Sequence, residues 1–297
     1  MKNLIKNILK TLLFFDLIVI IKHYFINIES GNLPLQTLWN ELASASLVAL
    51  FTAGFIILIE KKKIDIPFKK KPLKAIVSGG AIGLALPIFI IATLVTFGVV
   101  ELFGFNEASD LYLYIPALLL SALYNELLLR GYLFSLYKKH YKFLGAVAIT
   151  TALFLCLNTG LFNSNPLLLI NATLLNIILC FVYDFTGSFL TIVAARFFYT
   201  LISTLFFGSL VIENQYTTIV ASSIAPNSIE DSWILTITLS LMLIFFLCHK
   251  YKLHKKIKRN APILLKRIKE FNMQEIIINL RFKFVMLKKK LRKSKVK

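Results

Sequence analysis

Apolar positions along this chain come in long unbroken runs separated by short polar breaks, rather than alternating in twos or striping one face of a helix. A bilayer core about 30 Å thick takes roughly 20 apolar residues per helix. Eight runs approach that length: 8–28, 37–59, 74–100, 111–136, 143–160, 166–184, 187–211 and 233–248. The pattern predicts an all-α, polytopic membrane helix bundle of about eight transmembrane helices, the fifth and last being the shortest. The first run, "LLFFDLIVIIKHYFI", has the look of a signal peptide. Lys22 and His23 interrupt its end and no small-x-small cleavage site follows, so it is expected to stay as the first helix.

Composition agrees, with 57% hydrophobic and 16% charged residues and a mean hydropathy of +0.74, values that exclude an ordinary soluble domain. Charge then sets the orientation. Lys2, Lys6 and Lys10, the loops "EKKKIDIPFKKKP" and "KKHYK", and the C-terminal segment all fall on one side of the predicted bundle. The opposite loops hold Glu29, Glu101, Glu107, Asp110, Glu213, Glu230 and Asp231 without Lys or Arg. Basic loops stay inside, so both termini are expected to be cytoplasmic. The turn "YDFTG" is the one inner loop that lacks a basic residue.

The net charge of +19 is concentrated at one end. Eighteen of the 34 Lys and Arg, and only two of the 15 acids, follow residue 248, so this segment alone carries +16. It mixes Ile, Leu, Phe and Met with cations, as a basic amphipathic tail on anionic membrane lipid does; Lys288, Lys289, Lys290, Arg292 and Lys293 are its expected lipid-binding residues. Polyanions attract such tails in general, but no recognition fold accompanies this one, and no nucleic-acid partner is expected. Four segments follow: 1–73 with two helices and a basic loop, a core over 74–211, an outer loop and last helix over 212–248, and the tail over 249–297. Cys156, Cys180 and Cys248 form no CxxC pair or zinc spacing, so they read as packed free thiols. No metal and no cofactor is expected.

An ionisable residue in a membrane helix costs about 2.5–3.5 kcal/mol at its centre and is a functional candidate by default. Asp16, Lys22, Glu41, Glu126, Arg130, Asp184 and Arg196 are the candidates. Glu126 and Arg130, in "YNELLLRGYLF", stand at i and i+4 with the acid first, the favourable order for an ion pair on one helix face. A structural ion pair accounts for both without any catalysis. Asp184 is expected at a helix end in contact with water. Arg196 either reaches Glu126 or Glu41, forming an ionic network, or snorkels to the inner face.

Three short segments share a further pattern. "NELLLRG" resembles the Glu-Glu-x-x-x-Arg-Gly motif of the CPBP family, the CAAX protease and bacteriocin-processing (Abi) proteins. "FLCLN", Phe154 to Asn158, stands where that family has Phe-x-x-x-His, and "RFFYT", Arg196 to Thr200, where it has His-x-x-x-Asn or Asp. The resemblance covers roughly 74–211. At a 1.5 Å rise per residue, Asn125, Asn158 and Arg196 fall about 18, 22 and 14 Å from the predicted inner helix ends, so the three are expected to face one cavity. In active members, the resemblance implies, the first glutamate and the second-motif histidine activate water, and the third-motif histidine and asparagine stabilise the oxyanion. Those roles fall here on Asn125, Asn158, Arg196 and Thr200, none of which matches. Glu126, Arg130, Gly131 and Phe154 do match. A carboxamide cannot take a proton from water at neutral pH, so the centre is expected to be inactive.

The chain is therefore expected to be a degenerate member of that group, similar to its staphylococcal surface-display and lysostaphin-resistance branch. Its expected role is to bind or regulate cell-envelope membrane proteins, such as enzymes of surface-protein display or peptidoglycan processing, in a bacterial plasma membrane. Two alternatives stand beside it: a CAAX-type intramembrane endopeptidase with residual or altered activity, and a bacteriocin self-immunity protein.

Overall fold

A computed structural model describes residues 33–59, 72–99, 111–158, 165–207 and 229–251, with the single residues 10, 13, 14, 16, 18, 61 and 162. The first expected span falls almost wholly outside these residues. So do residues 62–71 of the basic loop "EKKKIDIPFKKKP", most of the acidic loops and most of the tail, including Lys288, Lys289, Lys290, Arg292 and Lys293, whereas "KKHYK" is described.

The described elements are helical and no strand occurs among them. Helix α1, Leu33–Gly54, runs on into a π-helical turn, Phe55–Ile59. Helix α2 is Pro72–Thr96 and α3 is Leu111–Glu126, which continues as an eight-residue π-helix, Leu127–Phe134. Then come α4 (Ser135–Leu157), α5 (Pro166–Thr186), α6 (Phe189–Phe207), a 3-10 turn at Ile229–Asp231, and α7 (Trp233–Lys250). Six helical stretches among the described residues are long and apolar enough to cross a membrane. One of them, Tyr112–Leu157, is 46 residues long and is broken by non-helical backbone at Tyr141 and Lys142, so it holds both the fourth and the fifth expected spans. The chain divides into two compact units, Met1–Leu243 and Ile244–Lys297.

The boundaries have local causes. Proline opens α2 and α5, where its missing N–H costs nothing. At α5 the Asn165 side chain also caps the first turn by accepting from Leu167 N at 3.0 Å. Gly187 ends α5 at a φ of +56°, a left-handed stop that suits glycine, and its N–H donates to Tyr183 O at 2.8 Å. The next residues, Ser188 and Phe189, already lead into α6.

Two contacts fix the helices that matter for the site. Helix α2 lies against α6 through Gly79 and Gly83, four residues apart on one face. A Cβ at Gly79 would run into Thr191 O, and one at Gly83 into Ala195 O. Small residues at this spacing let two backbones meet, which is how membrane helices associate when lipid removes the hydrophobic drive. The seam holds α6 at Ala195, next to Arg196. The π-helix after α3 is clamped by rings: Tyr132 packs on Phe14 and Phe55 with centroids 4.6 and 6.0 Å apart, and Phe134 on Phe143 and Tyr183 at 5.9 and 5.8 Å.

Candidate functional site

The site begins where α3 changes its winding. Glu126 is the last α-helical residue and Arg130 lies within the π-helix, a rare form that tends to mark functional positions in membrane and soluble proteins alike. Ser135 closes the π-helix. Its N–H donates to Tyr132 O while its hydroxyl donates to Arg130 O at 2.9 Å, so the carbonyl released by the change of register is satisfied.

Arg130 Nη1 lies 3.0 Å from Glu126 Oε1, and both side chains are 0% exposed. The remaining guanidinium reaches α5. Arg130 Nη2 donates to Asn176 O and to Asn176 Oδ1, each at 2.6 Å, and Asn176 Nδ2 donates in turn to Thr151 Oγ1 on α4 at 3.0 Å. The fully buried Cys180, four residues after Asn176, lies beside the same guanidinium. From the other side Arg196 Nη1 approaches the same Glu126 Oε1, also at 3.0 Å, with a side chain 23% exposed. Arg196 thus turns to Glu126 and does not snorkel. The second carboxylate oxygen, Oε2, is buried and accepts no hydrogen bond.

The four motif positions do not converge as expected. Asn125 turns back along its own helix, Nδ2 donating to Ser121 O at 2.9 Å. Thr200 donates to Arg196 O at 2.9 Å, one turn behind it on α6. Asn158 is an exposed residue ending α4, with Nδ2 donating to Phe154 O at 2.8 Å. No hydrogen bond among the described residues joins it to Asn125 or Arg196; the α4 residue joined to the network is Thr151, three positions before Phe154. Asp184 lies in the last turn of α5, at a helix end as expected, and its mostly buried carboxylate pairs with the half-exposed Lys138 near the start of α4. Of the cysteines, Cys156 is exposed rather than packed.

Asn176 and Thr151 are the residues that a search for ionisable groups passes over. A neutral carboxamide in the apolar run "LLNIILC" carries the same signal as a charge, only smaller, because it too needs a partner inside the bilayer. Asn171 obeys the same rule, donating to Ser232 O at 3.1 Å and accepting from Thr236 Oγ1 at 2.8 Å, which ties α5 to the start of α7.

Chemically the site is a buried ionic network. A divalent metal would want imidazole, thiolate or carboxylate donors. The motif positions offer two carboxamides, a hydroxyl and a guanidinium, and no cluster of three His, Cys, Asp or Glu side chains occurs among the described residues. The residues do not fit such an ion.

Residues 107–202 match the family model of the Rce1-like type II CAAX prenyl endopeptidases. The matched stretch lies within 74–211 and contains all three motif segments; it reaches the family but no particular branch of it. No curated protein and no solved structure matches the chain. Over that stretch the chain is similar to CAAX-type prenyl endopeptidases, and the six long apolar helices among the described residues suit a multi-pass membrane protein.

Proposed function

We infer that the chain is a CAAX-protease-like membrane protein that has given up peptide hydrolysis and works by binding other membrane proteins of the cell envelope, in a bacterial plasma membrane. The observation that carries this reading is the double engagement of Glu126. A general base must reach the water or group whose proton it takes. Glu126, the one carboxylate left in the first motif, is wholly buried, with one oxygen shared by Arg130 and Arg196 and the other sealed from solvent. Arg196 itself stands where an oxyanion-stabilising histidine is implied, and it spends its contact on Glu126 instead.

Binding within the bilayer needs no catalytic group. It needs packed helices and a few polar partners; the seam at Gly79 and Gly83 and the Glu126 network show both at work between this chain's own helices. The basic segment after residue 248 would hold such a complex against anionic lipid.

Two measurements test the reading. The purified protein in lipid vesicles is expected to leave a farnesylated C-terminal peptide uncleaved, while purification in mild detergent brings down an envelope membrane protein reproducibly. Cleavage abolished by Glu126→Gln with the protein level unchanged would instead establish the endopeptidase alternative. Failure to retain any envelope protein would remove the binding role.

A further inference from the structure

One carboxylate faces two guanidiniums in this network, and arginine does not shed its charge inside a protein. The group is therefore left positive within the membrane-spanning segments, where an unbalanced ion is costly. Arg130 offsets this by donating to both oxygens of Asn176. Arg196 has no such support: among the described residues the hydrogen bond to Glu126 through Nη1 is the one polar contact of its side chain. For the Nε–Nη2 edge, the kind of edge that holds a carboxylate by two parallel hydrogen bonds, the described residues supply no partner.

Towards its N-terminus, the helix that Arg196 contacts at Glu126 has exposed apolar residues. Tyr112, Leu119 and Glu126 succeed one another at intervals of seven, which keeps them on one face of α3. Tyr112 and Leu119 are exposed, as is Ile115 between them. Glu126 ends that stripe and is covered there by Arg196. Arg196 lies about 10 Å along α6 from Phe189 at 1.5 Å per residue. That is deeper than a lipid phosphate at the interface sits, whereas an acid on a helix can be presented at any depth.

We propose that the Tyr112–Ile115–Leu119 stripe together with Arg196 is a docking site for a transmembrane helix of another protein that carries a single mid-span Asp or Glu. The partner's carboxylate takes the free edge of Arg196 and brings the network to two acids and two guanidiniums. This rests on the binding role above and names the chemistry of the partner.

The test uses the full chain in neutral-lipid vesicles and a fluorescent leucine-rich transmembrane peptide with one central Asp, read by energy transfer against its Asn and Leu counterparts. The Asp peptide is expected to associate about tenfold more tightly than the Leu peptide. The preference should vanish in Arg196→Met and persist in part in Arg196→Lys, which keeps the charge without the two-pronged edge. Equal association of the three peptides with the unaltered protein overturns the proposal, whether or not either variant folds. So does a preference that Arg196→Met leaves untouched. A preference erased by a modest fraction of anionic lipid assigns Arg196 to a lipid phosphate and also overturns it. If the peptides are not distinguished while an envelope protein still co-purifies, the docking chemistry falls and the binding role stands.

Discussion

Arg130 and Arg196 approach the same oxygen of Glu126 at the same 3.0 Å, yet they sit in different regions of the bundle. Arg130 is enclosed by the π-helix, α4 and α5; its Nη2 is taken up by Asn176, which is itself held by Thr151, while its Nε is buried without a hydrogen bond among the described residues. Arg196 projects from α6, keeps 23% of its side chain exposed and makes one side-chain hydrogen bond among the described residues. Distance alone would give the two ion pairs equal weight. Their surroundings do not, because a buried pair is costly to break from either side and a partly solvated pair is worth little. The enclosed half behaves as part of the fold, and the open half is the one available to a ligand.

Removing the shared acid breaks both halves at once. Glu126→Ala leaves two guanidiniums without a counter-charge, one of them wholly buried, and is expected to cost about 3–5 kcal/mol, read as loss of folded protein in mixed-micelle unfolding. If the variant unfolds like the unaltered chain, the network does not hold the fold. Arg130→Met comes next, expected at about 3 kcal/mol. It keeps the Arg196 pair but leaves the buried Asn176 side chain short of a donor. A smaller effect for Arg130→Met than for Arg196→Met would invert the comparison.

The two halves were also unequally legible in the sequence. The i, i+4 spacing of Glu126 and Arg130 announced their pairing, since an acid and a base one turn apart in an apolar helix have few other solutions. The long apolar runs placed the helices for a similar reason: lipid leaves no alternative for the backbone. The π-helix over Leu127–Phe134 was not legible, because it depends on Ser135 and on the rings of Phe14, Phe55 and Tyr183 closing around it. Neither was the displacement of Asn158. Counting from predicted helix ends gives a depth but no direction, and Asn158 ends α4 with its carboxamide bonded back to Phe154 O. Asn176 escaped because a search confined to charges does not see carboxamides.

Asn176 sharpens the comparison from the enclosed side. Asn176→Leu removes the acceptor Oδ1 and the donor to Thr151, while the backbone carbonyl continues to accept from Arg130. A loss of about 1–3 kcal/mol is expected, read in the same unfolding experiment, with only weak coupling to Arg196→Met, because Arg130 and Glu126 stand between the two. Strong coupling between these two would mean that the halves are one unit. The glycine seam bears on the open side. Gly83→Val places a Cβ against Ala195 O and should shift α6; a loss of about 1–3 kcal/mol, the usual range for overpacking, is expected.

Arg196→Met is expected to change stability least, by about 0–1 kcal/mol. The substitution takes away a hydrogen bond to Glu126 Oε1, but that oxygen keeps Arg130, and the acid and base left behind are equal in charge. Against this loss stands the relief of an unbalanced cation, so the sign itself is informative. A cost well above 1 kcal/mol would show that Arg196 is structural, as Arg130 is, and that its open edge is incidental. A neutral or slightly stabilising change would mean that the residue is kept at some expense to the fold. A cation retained in a bilayer at such expense, beside a carboxylate already satisfied by another arginine, has its use outside the folded chain. The same variant then separates the two halves cleanly: the enclosed pair survives it, and only what approaches Arg196 from the membrane is lost.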